Sequence, residues 1–246
     1  MPDRSPVSLL QQLVRIPSGN PRGAPSPAEA AIGAAVAGWL RDAGLEVELQ
    51  AVLPGRPNVL GRVRGRDRSR VFLLESHLDT VETDGMTAPP FAAEIREGRL
   101  FGRGACHAKG PLAAMMLAMA ELARGAPPPV DVLLAAVMDE GWRPSRPGTA
   151  AAGEPYVVDY AMATDPAEPV VRQLEEAVRR AGRPAEIRGV HYGTDASKLA
   201  RAGIPAVVFG PGSIRQAHSA DEWIEPRQVD EAAAILAATI RAFAFA

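Results

Sequence analysis

Histidine and carboxylate side chains follow four apolar stretches of the sequence, each at or near the end of its stretch. Imidazole and carboxylate groups bind metal ions and transfer protons, so this repeated placement indicates a metal site or an acid–base site. A single His or Asp after a strand is most often a satisfied turn residue, but four independent occurrences are harder to explain in that way. The candidate side chains are His77, Asp79, Asp139, Glu140, Asp165 and His218.

The elements that must position these side chains alternate between strands and helices. Ser5-Pro6 predicts the start of a first helix, Gly44 predicts the end of a second, and the alternating run Leu45–Leu49 predicts a strand near a sheet edge. The pattern indicates an α/β domain with a mostly parallel, mixed sheet and helices on both faces. In such a sheet the ligand site lies outside the carboxyl ends of the strands, where the candidate side chains would meet. The predicted buried strands are Val71–Leu74, Val132–Val137 and Ala206–Phe209, and the later predicted helices are 111–124, 170–180 and 228–243.

Composition and charge bound the class of protein. The 246 residues, 47 % of them apolar, fit one compact domain over residues 1–246. A net charge of −2, from 27 Lys and Arg against 29 Asp and Glu, provides no broad basic face for nucleic acid. The single cysteine, Cys106, fits a reducing compartment, and a buried thiol is favoured for it over a metal ligand. Because no apolar run approaches the ~20 residues of a membrane span and the N-terminus shows no signal-peptide pattern, we expect a cytoplasmic protein.

Six motifs along the chain are similar to those of one enzyme family. They are Ser76–Val81, Gly102–Gly110, Asp139-Glu140, Thr164-Asp165, Gly193–Asp195 and Ala217–Ser219. Together they resemble the zinc-dependent aminoacylase and glutamate carboxypeptidase family, which includes succinyl-diaminopimelate desuccinylase and acetylornithine deacetylase. The run that begins at Ala108 is most similar to lysine and ornithine deacylases, including those that act on a carrier protein. The resemblance implies a zinc-peptidase-like three-layer sandwich.

The resemblance also implies roles for particular residues in a two-zinc site. The family binds its first zinc at the positions of His77 and Asp165 and its second at the position of His218. The residue at the position of Asp79 orients the first histidine. In the ungapped register Glu140 is the general base that activates water; in the alternative register the preceding aspartate is the base and Glu140 is a zinc ligand. Strand-end geometry favours the first register.

Three departures from the family pattern bear on this site. His107 stands where the family has an aspartate that bridges both zinc ions, and a neutral imidazole offers only one lone pair. Gly141 stands where the family has a glutamate ligand of the second zinc. The family's lid of about a hundred residues, an ordinary domain size, is missing near residues 166–169. The residues that remain, His77, His107 and Asp165, are a two-histidine, one-carboxylate set suited to one zinc ion or, less well, iron.

The ion count and the function stay open on sequence grounds. We expect at most one ion per chain, which means either one ion or none, with His107 filling the site as a hydrogen-bonded ring; two ions are the remaining alternative. His218 is then a spare ligand or a substrate contact. One hypothesis is a degenerate, non-hydrolytic binding or partner subunit for a small amino-acid-derived ligand, with a carrier protein or a heteromeric partner enzyme covering the lidless edge. The alternative is a mononuclear metal-dependent amidohydrolase, a deacylase of N-acyl amino acids that uses the remaining metal set and Glu140.

Overall fold

The computed structural model describes residues 5–19, 28–53, 55–138, 161–190 and 192–245. Within these ranges, no helix is both long and apolar enough to cross a lipid bilayer. The strands are β1 (Glu46–Leu53), β2 (Arg56–Val63), β3 (Asp67–His77), β4 (Glu94–Arg96), β5 (Arg99–Phe101), β6 (Val130–Val137) and β7 (Trp223–Ile224). The helices are α1 (Pro6–Arg15), α2 (Ala28–Asp42), α3 (Lys109–Arg124), α4 (Pro169–Arg180), α5 (Ala196–Arg201) and α6 (Pro226–Ala242). This mixture of strands and helices confirms the predicted α/β class.

The larger sheet has the strand order β1-β2-β6-β3 and places His77 at the end of its last strand. β3 runs parallel to β6, with Leu73 opposite Leu133, whereas β1–β2 and β2–β6 are antiparallel. The mixed sheet is as predicted, but among the described strands only one of these three pairings is parallel. A short connection between β1 and β2 permits only an antiparallel pair, since a parallel pair needs a long crossover.

A second, three-stranded sheet has the order β4-β5-β7 and was not predicted from the sequence. β4 and β5 form a hairpin whose turn residues, Glu97 and Gly98, both have positive φ (50° and 75°), as the tightest hairpin turns require. β5 pairs with β7 through Leu100 opposite Ile224. This pairing brings the loop that follows β5 against the residues that precede β7, although about 120 positions separate them in the sequence.

Helix α3 forms the centre of the core and begins directly after the loop that carries His107. It packs against α1 and α6 and against strands β2, β3 and β6, while α2 packs on β1 and β2. Four of its large apolar side chains are fully buried, and each such burial stabilises the fold by roughly 1.5–3 kcal/mol. These side chains are Leu112, Met116, Met119 and Leu122. The helix therefore fixes the end of the His107 loop against the sheet.

The helix ends follow the sequence signals. The Ser5 hydroxyl accepts the Ser8 amide N–H (3.2 Å) at the start of α1, and Pro6 is the first helical residue, as predicted. Gly44 follows α2 with φ 90°, a conformation that favours glycine. Local capping chemistry thus sets both boundaries.

The prediction that Ala206–Phe209 forms a strand is wrong. Residues 204–210 form no regular element, and Val208 is 48 % exposed. Apolar composition alone does not make a strand, because a strand needs a neighbouring backbone to complete its hydrogen-bond ladder. Among the described strands none pairs with this segment, and the Ala206 carbonyl instead accepts the Thr164 hydroxyl (2.5 Å).

Candidate metal centre

His77 ends strand β3, and Asp79 fixes the orientation of its ring. Nδ1 lies 3.0 Å from the Asp79 carbonyl oxygen and 3.2 Å from the Asp79 carboxylate. Both partners are acceptors, so Nδ1 carries the hydrogen and donates it to them. In the neutral ring the lone pair is therefore on Nε2, which is the usual arrangement of a histidine that ligates a metal.

His107 faces His77 across the site. The two Nε2 atoms are 3.3 Å apart, and the ring centroids are 4.8 Å apart. Burial, together with the neighbouring His77 and His218 rings, lowers the pKa of His107 to about 4, so the ring is neutral at pH 7. Two nitrogens bound at about 2.0–2.1 Å to one tetrahedral zinc ion lie about 3.3–3.4 Å apart. The observed separation suits two ligands of a single ion, and it equally suits a hydrogen bond from the His107 N–H to the His77 lone pair in the metal-free chain.

His218 lies next to this pair, on the segment that follows Phe209. Its ring centroid is 5.3 Å from that of His107, and burial lowers its pKa as well. Its φ of 61° places it in the left-handed region, which His adopts more often than most residues. The described residues thus bring three imidazoles close together, and the sequence singled out all three as candidate metal ligands.

Asp165 is placed differently from these histidines. It is exposed, and one of its carboxylate oxygens accepts the Ala167 amide N–H (2.8 Å) in the turn that leads into α4. In the described part of the chain, no group of three or more His, Cys, Asp or Glu side chains is arranged to hold a metal ion. The structure therefore brings together the two histidines of the predicted set but not its carboxylate. Asp139 and Glu140 lie outside the described residues.

The loop Gly102–His107 is held by a carboxylate that sequence reasoning missed. Glu222 is fully buried and accepts hydrogen bonds from the Arg103 guanidinium and from three backbone amides of this loop. The glycines of the motif indicated a tightly folded loop, but nothing local pointed to a partner more than 100 residues away. Gly104 has φ 84°, and a Cβ there would lie 2.8 Å from a Thr80 methyl, so the loop requires glycine at this position.

Cys106 and Lys109 are buried on either side of His107 in the sequence, but their side chains donate to backbone carbonyl oxygens and are not arranged as metal ligands. The Cys106 thiol donates to the Ser213 carbonyl oxygen (3.2 Å), and burial raises its pKa to about 11, which disfavours the thiolate that binds metals. This arrangement agrees with the predicted buried thiol. Lys109 donates to the Ile16 carbonyl oxygen (2.7 Å), and burial lowers the pKa of its ammonium group to about 7.

A cavity of about 630 Å³ opens beside the histidine pair. His77 and His107 line it together with Tyr192 and the segments 71–76 and 204–214. Pockets of roughly 300–1,000 Å³ with mostly apolar walls and a few polar groups are typical of small-molecule sites. The cavity is therefore large enough for a ligand of amino-acid size next to the candidate metal centre.

An α/β fold with a histidine at a strand end, a second histidine facing it and a cavity beside them fits the class of metal-dependent hydrolases. The chain belongs to one family of that class: the sequence model of Peptidase family M20/M25/M40 matches residues 73–163 and 145–242. Enzymes of this family are metal-dependent. The family predicted from the motifs is thus confirmed.

Curated relatives match only part of this chain and a smaller part of their own. Succinyl-diaminopimelate desuccinylase of Methylorubrum extorquens is 35 % identical over 123 residues, which are 48 % of this chain and 30 % of the relative. N-formyl-4-amino-5-aminomethyl-2-methylpyrimidine deformylase of Bacillus subtilis is 32 % identical over 112 residues, 43 % of this chain and 26 % of the relative. The chain therefore spans less than a third of the length of either enzyme in these alignments.

Solved structures confirm the fold at low sequence identity. An M20 family metallo-carboxypeptidase from Sulfolobus solfataricus has a TM-score of 0.74 at 12 % identity, with 96 % of this chain and 98 % of that chain covered. A tripeptidase from Staphylococcus aureus has a TM-score of 0.72 at 13 % identity, with 98 % of each chain covered. These likenesses show the fold of the chain.

Proposed function

We propose that the chain is a single-metal amidohydrolase that removes an acyl group from a small amino-acid-derived substrate in the cytoplasm. The observation that carries the proposal is the 3.3 Å separation of His77 Nε2 and His107 Nε2, which suits two ligands of one tetrahedral ion. Membership of a family of metal-dependent hydrolases supports it. Two relatives named for removing a succinyl or a formyl group from an amine support the deacylase assignment.

One ion rather than two follows from the ligand types. His107 occupies the position at which the resembling enzymes place a bridging carboxylate, and an imidazole with one lone pair cannot bridge. Gly141 supplies no side chain for a second ion. Zinc requires at least three protein ligands, so the pair needs another. His218 lies beside the pair, whereas Asp165 would first have to give up its hydrogen bond to the Ala167 amide.

The protein's own residues orient the metal ligand, act as the general base and bind the substrate. When bound, such an ion supplies Lewis-acid polarisation of the amide carbonyl and activation of water. Asp79 holds the His77 ring so that Nε2 faces the site. We assign Glu140 as the general base, and the cavity beside the histidines as the place where the acylated substrate binds.

Hydrolysis assays test this function. The chain, stripped with a chelator and reloaded with Zn²⁺ or Co²⁺, is assayed on N-succinyl, N-formyl and N-acetyl amino acids. We expect metal-dependent release of the free amine, with Glu140→Gln lowering the rate at least 100-fold, within the usual contribution of a general base. Glu94→Gln, at an exposed carboxylate, is the matched control and should be unchanged. Hydrolysis that survives both chelation and Glu140→Gln would contradict the proposal.

A second candidate function is a non-hydrolytic partner subunit for an amino-acid-derived ligand, free or tethered to a carrier protein. It is favoured by the short turn at 166–168, which leads directly into α4 where the resembling enzymes insert a lid. Exposed apolar side chains line the open cavity there, and such surfaces often mark interfaces. They are Ile204, Val208 and Ile214, at 45 %, 48 % and 51 % exposure.

Assembly measurements separate the two candidates. Light scattering after size exclusion, on the isolated chain and after co-expression with neighbouring gene products, should give a heteromeric complex if the chain is a partner subunit. A monomer that forms no complex and hydrolyses an acylated amino acid supports the enzyme assignment instead.

A further inference from the structure

The carboxylate of Glu222 has all its hydrogen-bonding capacity engaged by one loop. Oε2 accepts from Arg103 Nη1 (2.9 Å) and from the Gly104 amide (3.1 Å), and Oε1 accepts from the amides of Cys106 (2.9 Å) and His107 (3.0 Å). Its exposed fraction is 0 %. A carboxylate has about four lone-pair sites, so these four donors fill it. A buried charge that is satisfied in this way is held in one place.

The identity of the four donors shows that the Glu222 carboxylate sets the backbone conformation of the loop. Three of the four are backbone N–H groups between Gly104 and His107, so the path of the backbone through the loop is set by the two oxygens of Glu222. Without an acceptor these buried amides would be unsatisfied, which is costly enough for the loop to seek another conformation. The last of them belongs to His107 itself, so its backbone is fixed directly.

Three further contacts join the loop to the segment that carries His218. The Gly102 amide donates to the Glu222 carbonyl oxygen (3.0 Å), Arg103 Nη1 donates to the Ser219 carbonyl oxygen (3.3 Å), and the Cys106 thiol donates to the Ser213 carbonyl oxygen (3.2 Å). The pairing of β5 with β7 brings these two stretches together. One carboxylate therefore lies at the junction of the two chain segments that carry His107 and His218.

We infer that Glu222 is a positioning residue of the candidate metal centre: its carboxylate templates the loop Gly102–His107 and thereby places His107 Nε2 against His77 Nε2. The inference rests on the proposed function only where it concerns metal affinity, since the effect on the loop is a property of the metal-free chain. Glu222 does not touch the metal position in this account; it acts through His107.

Cys106 provides a probe of the loop that does not depend on activity. It is the single cysteine of the chain and is buried at 5 % exposure in the middle of the loop, so the rate of its reaction with a thiol reagent reports loop opening. In Glu222→Gln one acceptor oxygen becomes an NH₂ group that faces N–H donors. We expect at least a tenfold faster reaction of Cys106 in the metal-free variant, and at least a tenfold weaker Co²⁺ affinity from spectroscopic titration.

Two controls separate positioning from loss of stability. Glu225→Gln changes a carboxylate three residues away that pairs with Arg227 and makes no contact with the loop in the described chain, so it should leave both readouts unchanged. Val36→Ala removes methyl groups from a fully buried site in α2, so it lowers the melting temperature without touching the loop. At a matched loss of melting temperature, only Glu222→Gln should change Cys106 reactivity and Co²⁺ affinity.

Glu222→Asp keeps the charge but shortens its reach, so both readouts should fall between those of the wild type and Glu222→Gln. If Glu222→Gln does not fold, the Asp variant decides the question with the same two measurements. Unchanged Cys106 reactivity in the folded variants overturns the inference, as does an equal change in Val36→Ala. Faster Cys106 reaction in a chain whose wild type binds no Co²⁺ supports the positioning of the loop and contradicts the proposed function instead.

Discussion

On sequence grounds, the loop that carries His107 and the turn that carries Asp165 both serve one metal centre, yet the chain builds them in different ways. The His107 loop is buried and is held by a carboxylate from a segment more than 100 residues away. The Asp165 turn is exposed, and the Asp165 carboxylate accepts a hydrogen bond from its own turn, at the Ala167 amide. The position of His107 is therefore imposed by the tertiary structure, while that of Asp165 is set locally.

This difference shows what makes a ligand position rigid. Charge-assisted hydrogen bonds to buried backbone amides fix a loop, because each amide would otherwise lose its partner in the protein interior. An exposed carboxylate can exchange its partner for water at little cost. A metal centre that uses the His107 loop has one pre-organised ligand position. The conformation of the Asp165 turn can change between states with and without a ligand.

The largest expected effect concerns the buried ion pair of the loop. Arg103→Met removes the guanidinium that pairs with Glu222, where both side chains are at most 3 % exposed, so we expect the free energy of unfolding to fall by about 3–5 kcal/mol. Denaturant unfolding monitored by circular dichroism measures it. Arg180→Met breaks an exposed pair with Glu176 and should cost no more than about 0.5 kcal/mol. Equal losses in the two variants would refute the contrast between the regions.

A smaller effect is expected from acid. His107 has its pKa lowered from 6.5 to about 4 in the folded chain, chiefly by burial and then by His77 and His218. Between these two values the unfolded chain binds more protons, so stability falls as the pH is lowered from about 6.5 to 4. The 1.36 kcal/mol per pKa unit gives a loss of up to about 3 kcal/mol from this group.

Unfolding of the metal-free protein across this pH range, with His107→Gln as the reference, isolates that contribution. Carboxylates titrate in the same range in both proteins, so the difference between the two curves is the quantity of interest. The wild-type curve should be the steeper. Parallel curves would show that His107 is not a buried neutral ring.

The smallest effect is expected near Asp165. Thr164→Val removes the hydrogen bond from the Thr164 hydroxyl to the Ala206 carbonyl oxygen and should lower the free energy of unfolding by about 1 kcal/mol. Thr87→Val removes a similar but exposed bond to the Ala220 carbonyl oxygen and should cost less. Thermal unfolding compares them. A loss from Thr164→Val as large as that from Arg103→Met would mean that the Asp165 segment is held as firmly as the loop.

Sequence motifs predicted that the histidines share one site, and they predicted the fold class, because both properties are encoded in short stretches of the sequence. The apolar run of β6 and the capping residues of α1 are local signals, and the family motifs placed His77, His107 and His218 in one site. The wider metal set remains a prediction, since Asp165 is exposed and Glu140 lies outside the described residues.

The missed features all depend on distant partners. In the sequence Glu222 is indistinguishable from an ordinary acidic residue. Its role in holding the loop Gly102–His107 depends on the pairing of β5 with β7. The apolar run Ala206–Phe209 reads as a strand, but the structure pairs no described strand with it. A partner at long sequence separation is a property of the fold, and a single sequence contains no local signal for it.

The number of metal ions per chain tests the central claim most directly. Protein purified without chelators, or stripped and titrated with Zn²⁺, is measured for bound metal by elemental analysis, with His107→Ala and Asp165→Asn alongside. We predict one ion per chain, lost in His107→Ala and largely kept in Asp165→Asn. Two ions per chain, or no ion under conditions that leave the wild type folded, would contradict the account.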